Sequence, residues 1–479
     1  MSETALTSAL SRFALACAVP LGAGLLGACM SMAPHYERPA APVPAAFADP
    51  ASAPAASTPA ANDIEWQSHF NDERLKRLIA IALNNNRDLR VAVLNIEQAR
   101  AQYQIRRADL LPSVNAAVNG QRQTQPTSLL SVYTAGLAVT AYEVDLFGRV
   151  RSLSNAALAQ YFGTEEARKS AQISLVAAVA TAYYSVLADD ALLEVTRQTL
   201  GTREEAHQLT QLKFDNGASS ELDYRQSESL LEGARVTLQQ TIRQRALDQN
   251  ALALLLGQSL PGEMAPAPPD QVLLPPTLLP ELPAGLPSEV LVRRPDVRQA
   301  EQQLIAANAN IGAARAAFFP RILLTGSAGI ASTELSGLFN NNSGAWSFLP
   351  SLTLPIFDAG RNRANLEVAK VNRDIAVAQY EKTIQTAFRE VSDALAGQAT
   401  LGEQVRAQLA QTRAEAARFK LADLRYRNGA SSYLDVLDAQ RSLFLAQQAS
   451  VQVQAAQVQN QVTLYKVLGG GWKNPAATP

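Results

Sequence analysis

Tyr133-Thr134-Ala135-Gly136-Leu137-Ala138-Val139-Thr140-Ala141 decides the fold. Tyr133, Ala135, Leu137, Val139 and Ala141 alternate with small or polar residues, and a period of two places each set on its own face of a strand. The pattern returns downstream, where Trp346, Phe348, Leu352, Leu354 and Ile356 alternate with Ser347, Ser351 and Thr353. Pairing with residues 114–122 and 322–331 gives two hairpins, each about long enough to cross a bilayer. The polar stretches 123–131 and 333–345 are expected as their turns. Four strands cannot close a barrel, and an open sheet edge is not tolerated in lipid. Several copies must therefore contribute strands, and three copies would supply twelve, four from each. Alternation alone leaves a soluble arrangement open, with the hairpins capping a helical bundle.

Around the strands the chain says nearly everything twice, about 210 residues apart, which argues for a pseudo-symmetric object rather than a short solenoid repeat. Asp88-Leu89-Arg90 through Leu111-Pro112 answers Asp296-Val297-Arg298 through Phe319-Pro320, and Asp145-Leu146-Phe147-Gly148-Arg149 answers Phe357-Asp358-Ala359-Gly360-Arg361. Phe214-Asp215-Asn216-Gly217-Ala218-Ser219-Ser220 is matched by Tyr426-Arg427-Asn428-Gly429-Ala430-Ser431-Ser432. The spans 153–214 and 365–426 lack proline and read as very long helices of roughly 90 Å each. Leu437, Phe444, Val451, Val458 and Tyr465 then recur every seventh residue, the spacing of a coiled coil. Gln448, Ala455 and Val462 form the second seam, small enough for close packing.

The 479 residues carry a net charge of -1, so no basic excess points to nucleic acid. Arg12 precedes an apolar run from Phe13 to Ala28 that is too short to span a membrane but suits a secretory signal, ending in Leu26-Gly27-Ala28-Cys29. That ending resembles a bacterial lipoprotein signal, cleaved before Cys29, which would then carry lipid; an ordinary signal with an incidental cysteine is the alternative. Met30 rather than Asp follows, which in the lipoprotein sorting rule implies the outer membrane. Cys17 lies in the removed segment, so the mature chain would hold no disulfide. The Gly22-Ala23-Gly24-Leu25-Leu26-Gly27 match to a dinucleotide motif falls in the signal with no strand before it. His35, His69 and His207 are scattered, so no metal, cofactor or catalytic site is expected.

These readings divide the chain into a signal peptide (1–28), a lipid-anchored proline-rich tether (29–62), a first repeat (63–260, hairpin 113–147) and a proline-rich connector (261–295). A second repeat (296–472, hairpin 321–357) and a short tail (473–479) complete it. Within this frame the chain resembles the TolC-like outer membrane factors, in the lipoprotein branch of multidrug efflux channels of the OprM type. The resemblance rests on Asn85-Asn86-Arg87-Asp88-Leu89-Arg90, Trp66 with Phe70, Tyr142 to Arg149, Arg293-Arg294-Pro295-Asp296, Ala313 to Pro320 and Leu434 to Ser442. It implies a mainly α homotrimer with a twelve-stranded outer-membrane β-barrel continuing into a periplasmic coiled-coil tunnel. It also implies outer-membrane lipid around the barrel and a tripartite pump, with a periplasmic membrane-fusion adaptor and an inner-membrane transporter of the resistance-nodulation-division (RND) type. The chain itself would be a passive gated exit. Export of proteins or of copper and silver competes with multidrug efflux, although the mature chain lacks methionine clusters; a lipid-anchored structural coiled coil is the non-channel alternative.

The two Asn-Gly segments read as tight helix-to-helix turns, since glycine tolerates positive φ. By resemblance they are periplasmic tips that meet the adaptor through Gly217, Ala218, Ser219, Gly429, Ala430 and Ser431. Asp435 and Asp438, one helical turn apart, either complement a helix dipole or form acidic rings at a closing pore entrance, as the resemblance implies. Crowding in such rings should raise some of their pKa values. Asp223, Arg425, Tyr426 and Arg427 are the candidates for a gate network, with one departure. The TolC pattern has an arginine after the second-tip glycine, whereas here Ala430-Ser431 stand there and the arginines precede Asn428.

Overall fold

The computed structural model describes residues 31–44, 47, 64–125, 128–261, 288–340 and 342–472. The expected signal, Cys29, most of the connector and the tail lie outside these residues. In chain order the elements are α1 (Trp66–His69), α2 (Glu73–Asn85), α3 (Arg87–Ala108), β1 (Val114–Gln125), β2 (Ser128–Val144), α4 (Arg149–Asp215) and α5 (Glu221–Leu256). After a 3₁₀ turn come α6 (Pro295–Ala316), β3 (Arg321–Ser332), β4 (Gly344–Thr353), α7 (Arg361–Arg427) and α8 (Tyr433–Val467). The described residues form two compact units, one within 1–41, 94–166 and 298–383, the other within 42–93, 167–297 and 384–479.

In the first unit the strands make one antiparallel sheet in the order β1-β2-β3-β4, so the inner pair β2/β3 joins the two repeats. The register places Val114, Val118, Leu137, Val139, Ile322, Ile330, Trp346 and Phe348 on one face. Asn115, Asn119, Thr134, Thr325, Ser327 and Ser347 share the other. Three details depart from the sequence reading. Only residues 126–127 separate β1 from β2; the polar stretch 123–131 pairs in register because the ladder is made by backbone groups that do not require apolar side chains. Ala141, expected on the apolar face, sits in a bulge with φ 51°, its N–H donating to Thr325 Oγ1 at 3.2 Å. The extra residue shifts the parity of β2, which keeps Tyr142 and Val144 on the apolar face. β4 ends at Thr353, leaving Leu354 and Ile356 beyond it. It accommodates Pro350 because an edge strand can spare a donor.

The N-terminal segment is extended and lies antiparallel on α6. Arg38 grips Glu301 through two bonds of 2.7 and 3.0 Å, and Tyr36 donates to the same carboxylate at 3.1 Å. Asn308 donates to the Pro34 carbonyl at 2.9 Å and Arg315 to that of Met32 at 3.2 Å. A Cβ on Gly312 would stand 2.7 Å from Ala33 N, so glycine is what admits the strap. The Glu301 side chain is 9% exposed and depends on this partner. Arg38→Ala is expected to cost about 1–3 kcal/mol by leaving a buried carboxylate short of its cation, and to expose residues 32–44 to limited proteolysis at protease levels that spare the wild type.

In the second unit α2 starts on an Asp72 cap that accepts from Arg74 N and Leu75 N. It buries Leu75, Leu78, Ile79 and Ala82 in a one-sided stripe, lying against α5, whose Leu252 and Leu256 are fully buried. The helices α4 and α7 are each 67 residues long, about 100 Å at 1.5 Å per residue. α4 contains a stretch apolar enough to cross a membrane, but 61% of it is buried within the protein, as in a core helix. The heptad residues Leu437, Phe444, Val451, Val458 and Tyr465 of α8 are all buried, as are Ala455 and Val462, while Gln448 is half-buried.

Candidate functional site: the two helix turns

The turns at the ends of α4 and α7 are built residue for residue alike, at a constant offset of 212 (Gly217 to Gly429). In both, the glycine is left-handed, φ 71° at Gly217 and 73° at Gly429, and neither would meet another atom through an added Cβ. Ala218 N donates to the Lys213 carbonyl at 2.7 Å and Gly217 N to that of Phe214 at 2.9 Å, with Ala430/Arg425 and Gly429/Tyr426 repeating the pattern at 2.9 Å each. These are Schellman closures, which satisfy the last carbonyls of a helix. The next helix begins on a capping box in each case, Ser220 with Asp223 and Ser432 with Asp435. Gly217, Ala218, Gly429 and Ala430 are exposed, and Ser219 and Ser431 half-buried. These six side chains are small and uncharged, with Asp215 and Arg427 exposed just before them.

Asp223 and Asp435 are therefore symmetry equivalents with a local duty, since each accepts from its serine and covers a helix N-terminus. Asp438 is bound differently. Arg418, reaching from α7, donates to it at 2.5 Å and Arg441, one turn on, at 2.7 Å. Arg418 also contacts Glu415 at 3.2 Å. Within the single chain the Arg418 bond, seconded by Arg441, holds the Asp438 carboxyl below its ordinary range, opposite to the rise expected from crowded acids.

Of the gate candidates, Tyr426 is the one bonded to the other repeat, while Asp223 acts on Tyr433 across it through its charge. Lys213, at the end of α4, donates to its hydroxyl at 2.8 Å and lies 4.6 Å from its ring centre, while Tyr433 packs beside it at 5.2 Å. Arg425 turns back to the Ala430 carbonyl at 3.2 Å, and Arg427 pairs with Asp423 at 2.9 Å. The structure thus brings Tyr426 together with Lys213 and Tyr433, and leaves Asp223, Arg425 and Arg427 on local bonds. Lys213, Arg418 and Tyr433 escaped the sequence reading. Their signal was positional: Arg418 and Asp438 stand almost equidistant from the Asn428-Gly429 turn, as partners across a helical hairpin must.

The outer membrane efflux protein family model matches twice, over residues 78–258 and 286–470. The chain is 49% identical over 458 residues to the toluene efflux pump outer membrane protein TtgC of Pseudomonas putida, covering 94% of each chain. It is 50% identical over 457 residues to the outer membrane protein OprJ of Pseudomonas aeruginosa, covering 93% of this chain and 94% of that one. Among solved structures, the open state of the Neisseria gonorrhoeae MtrE outer membrane channel superposes with a TM-score of 0.84 at 41% identity, covering 94% of this chain and 100% of that one. The antiparallel sheet, the paired 67-residue helices and this double match agree: the chain belongs to the outer membrane efflux protein family, whose members are channels of the outer membrane and not enzymes.

Proposed function

We propose that this chain is the exit channel of a tripartite RND-type pump, a passive gated conduit that expels drugs and other toxic small molecules. The observation that carries the reading is the open sheet. Its edges β1 and β4 each have one neighbour among the described residues, and one face is apolar while the other carries Asn, Thr and Ser. Three copies joined edge to edge would close a twelve-stranded barrel with apolar residues toward lipid and the polar face toward the lumen. The long helix pairs would then line a periplasmic tunnel. Lipid on Cys29 would anchor the chain, with the docked residues 32–38 following just after it. The functions for which relatives are named, toluene efflux for TtgC among them, support small-molecule export. The purified chain should migrate as a heat-resistant trimer and give discrete conductance steps in planar bilayers; a monomer without conductance would overturn the proposal.

Energy would come from the inner-membrane transporter, through an adaptor that meets the tips at Gly217, Ala218, Ser219, Gly429, Ala430 and Ser431. The small, exposed side chains there leave room for intermeshing helices. In this proposal Asp435 and Asp438 ring the entrance, and Lys213 with Tyr426 latches the end of α4 to the end of α7. A hydrogen bond and a cation–π contact together are worth about 1–2 kcal/mol per chain. A partner preferring the open state can supply that. Lys213→Met should raise the open fraction of single channels about tenfold, the equivalent of roughly 1.4 kcal/mol; an unchanged open fraction would remove the latch. Asp223, Arg425 and Arg427 serve this gate by shaping the turns.

A further inference from the structure

The first helix pair contains a carboxyl cluster that the channel reading does not use. Asp189 on α4 is 7% exposed, and one of its oxygens, Oδ2, has no hydrogen-bond partner. It faces Asp248 on α5 within hydrogen-bonding reach. Beside it Asp190 accepts from Arg245 Nε, with the Asp190 side chain 8% exposed. Gln244 donates to Asp248 at 3.3 Å from the same helix. Three carboxyls and one guanidinium leave an excess of negative charge around the buried Asp189 and Asp190 side chains, with Asp248 half-buried beside them, so closing the helices favours uptake of a proton. α8, which packs on α4 through the Gln459–Ser185 bond of 3.2 Å, has no charged residue between Arg441 and Lys466. The charges acting on Asp189 are accordingly Asp248, Asp190 and Arg245. Burial first, then the bond to Asp248 and the two neighbouring acids, push the Asp189 carboxyl up to about 7, against the opposing pull of Arg245.

The second helix pair, at the constant offset of 212, carries none of this. Its equivalents of Asp189, Asp190, Arg245 and Asp248 are Leu401, Gly402, Gln457 and Asn460. Asn460 ties α8 to α7 by donating to the Ala394 carbonyl at 2.9 Å, a bond that no change of pH removes. The two pairs, alike at their tips and in length, thus differ in how they are fastened midway.

We propose that Asp189 and Asp248 form a proton-operated clasp that fastens α4 to α5 in acid and loosens them toward neutral pH, while α7 and α8 stay fastened throughout. The sign follows from linkage. A carboxyl whose folded pKa is raised binds more protons in the closed pair than in the open one. Its stabilisation is complete below the ordinary carboxylate range and is lost as pH rises toward 7. Local opening should increase by up to about tenfold per pH unit over that window and then level off.

The test is hydrogen–deuterium exchange on the full-length trimer between pH 5 and 8, corrected for the intrinsic pH dependence of exchange. Peptides covering 183–196 and 241–254 should lose at least about tenfold in protection from pH 5 to 7. Peptides covering 395–408 and 453–466 should not change. Asp189→Asn, which mimics the protonated group, should hold the first pair at its acid-pH protection throughout. Should that variant misfold, an infrared titration of the wild type should show a protonated-carboxyl band at pH 5 that fades by pH 8. Equal pH responses in both helix pairs, an Asp189→Asn protein that still loosens, or the absence of the infrared band would each overturn the clasp.

Discussion

Gly136→Val is expected to abolish the assembled channel. Gly136 and Gly329 stand directly opposite on β2 and β3, the strand pair that joins the two repeats. A Cβ on Gly136 would lie 2.4 Å from the Ala328 carbonyl oxygen and 2.6 Å from Gly329 Cα, and one on Gly329 would lie 2.2 Å from the Ala135 carbonyl oxygen. Overpacking ordinarily costs about 1–3 kcal/mol when side chains can move aside. Here the obstructing atoms are backbone, so the strands must separate instead and the ladder is lost. Sheet closure in the proposed trimer repeats this seam in every chain, which multiplies the penalty. Gly344, in β4 of the same sheet, meets nothing within 4 Å. Gly344→Val is the matched control and should assemble normally. Heat-resistant trimers in outer-membrane fractions are the readout; trimers in Gly136→Val at the wild-type level would refute the close-approach argument.

The second large effect is expected at the acids after the second turn. Asp435→Asn with Asp438→Asn should lower the cation-over-anion permeability ratio of purified pores while leaving trimers intact. Asparagine is the apt replacement at 435, because its carbonyl can still accept from Ser432 and preserve the cap, whereas alanine would remove it. A carboxylate about 8 Å from a passing ion in water contributes on the order of 0.5 kcal/mol, and a few such groups acting together shift selectivity about tenfold. The two sites should contribute unequally. Asp438 is neutralised by Arg418 and Arg441, while Asp435 has only its serine. Asp435→Asn alone should thus produce most of the change, and Arg418→Gln should move selectivity the other way by unmasking Asp438. Unchanged selectivity in the double variant would remove both residues from the pore entrance.

Much of this architecture could be read from the chain because its determinants are local. Alternation in 133–139 is imposed by the strand pleat, and proline-free stretches matched α4 and α7 to within a few residues of their ends. Glycine at 217 and 429 is required by positive φ. The bulge at Ala141 was hidden because alanine suits either face and carries no turn signal. β1 ran on to Gln125 despite its polar residues, since its partner supplied the ladder whatever the side chains. At the tips, the position of Asp435 in the sequence suits either a cap or a ring acid, and its capping bond is visible while the ring awaits the selectivity measurement. Lys213 and Tyr426 come from helices 213 residues apart in sequence, and contacts between repeats depend on how the pairs pack, which no local pattern encodes. The Asp189 and Asp248 pairing was legible in principle. Both lie almost equidistant from the Asn216-Gly217 turn, yet each acid taken singly looks like an ordinary surface charge.

Retention of a fluorescent efflux dye tests the drug-exit role in cells stripped of other channels of this family. Cells also lacking this chain should retain more dye, restoration of the wild type should reverse the increase, and Gly136→Val should fail to do so. Equal retention with and without the chain, when it is present in the outer membrane beside its adaptor and transporter, would contradict its role as a drug exit.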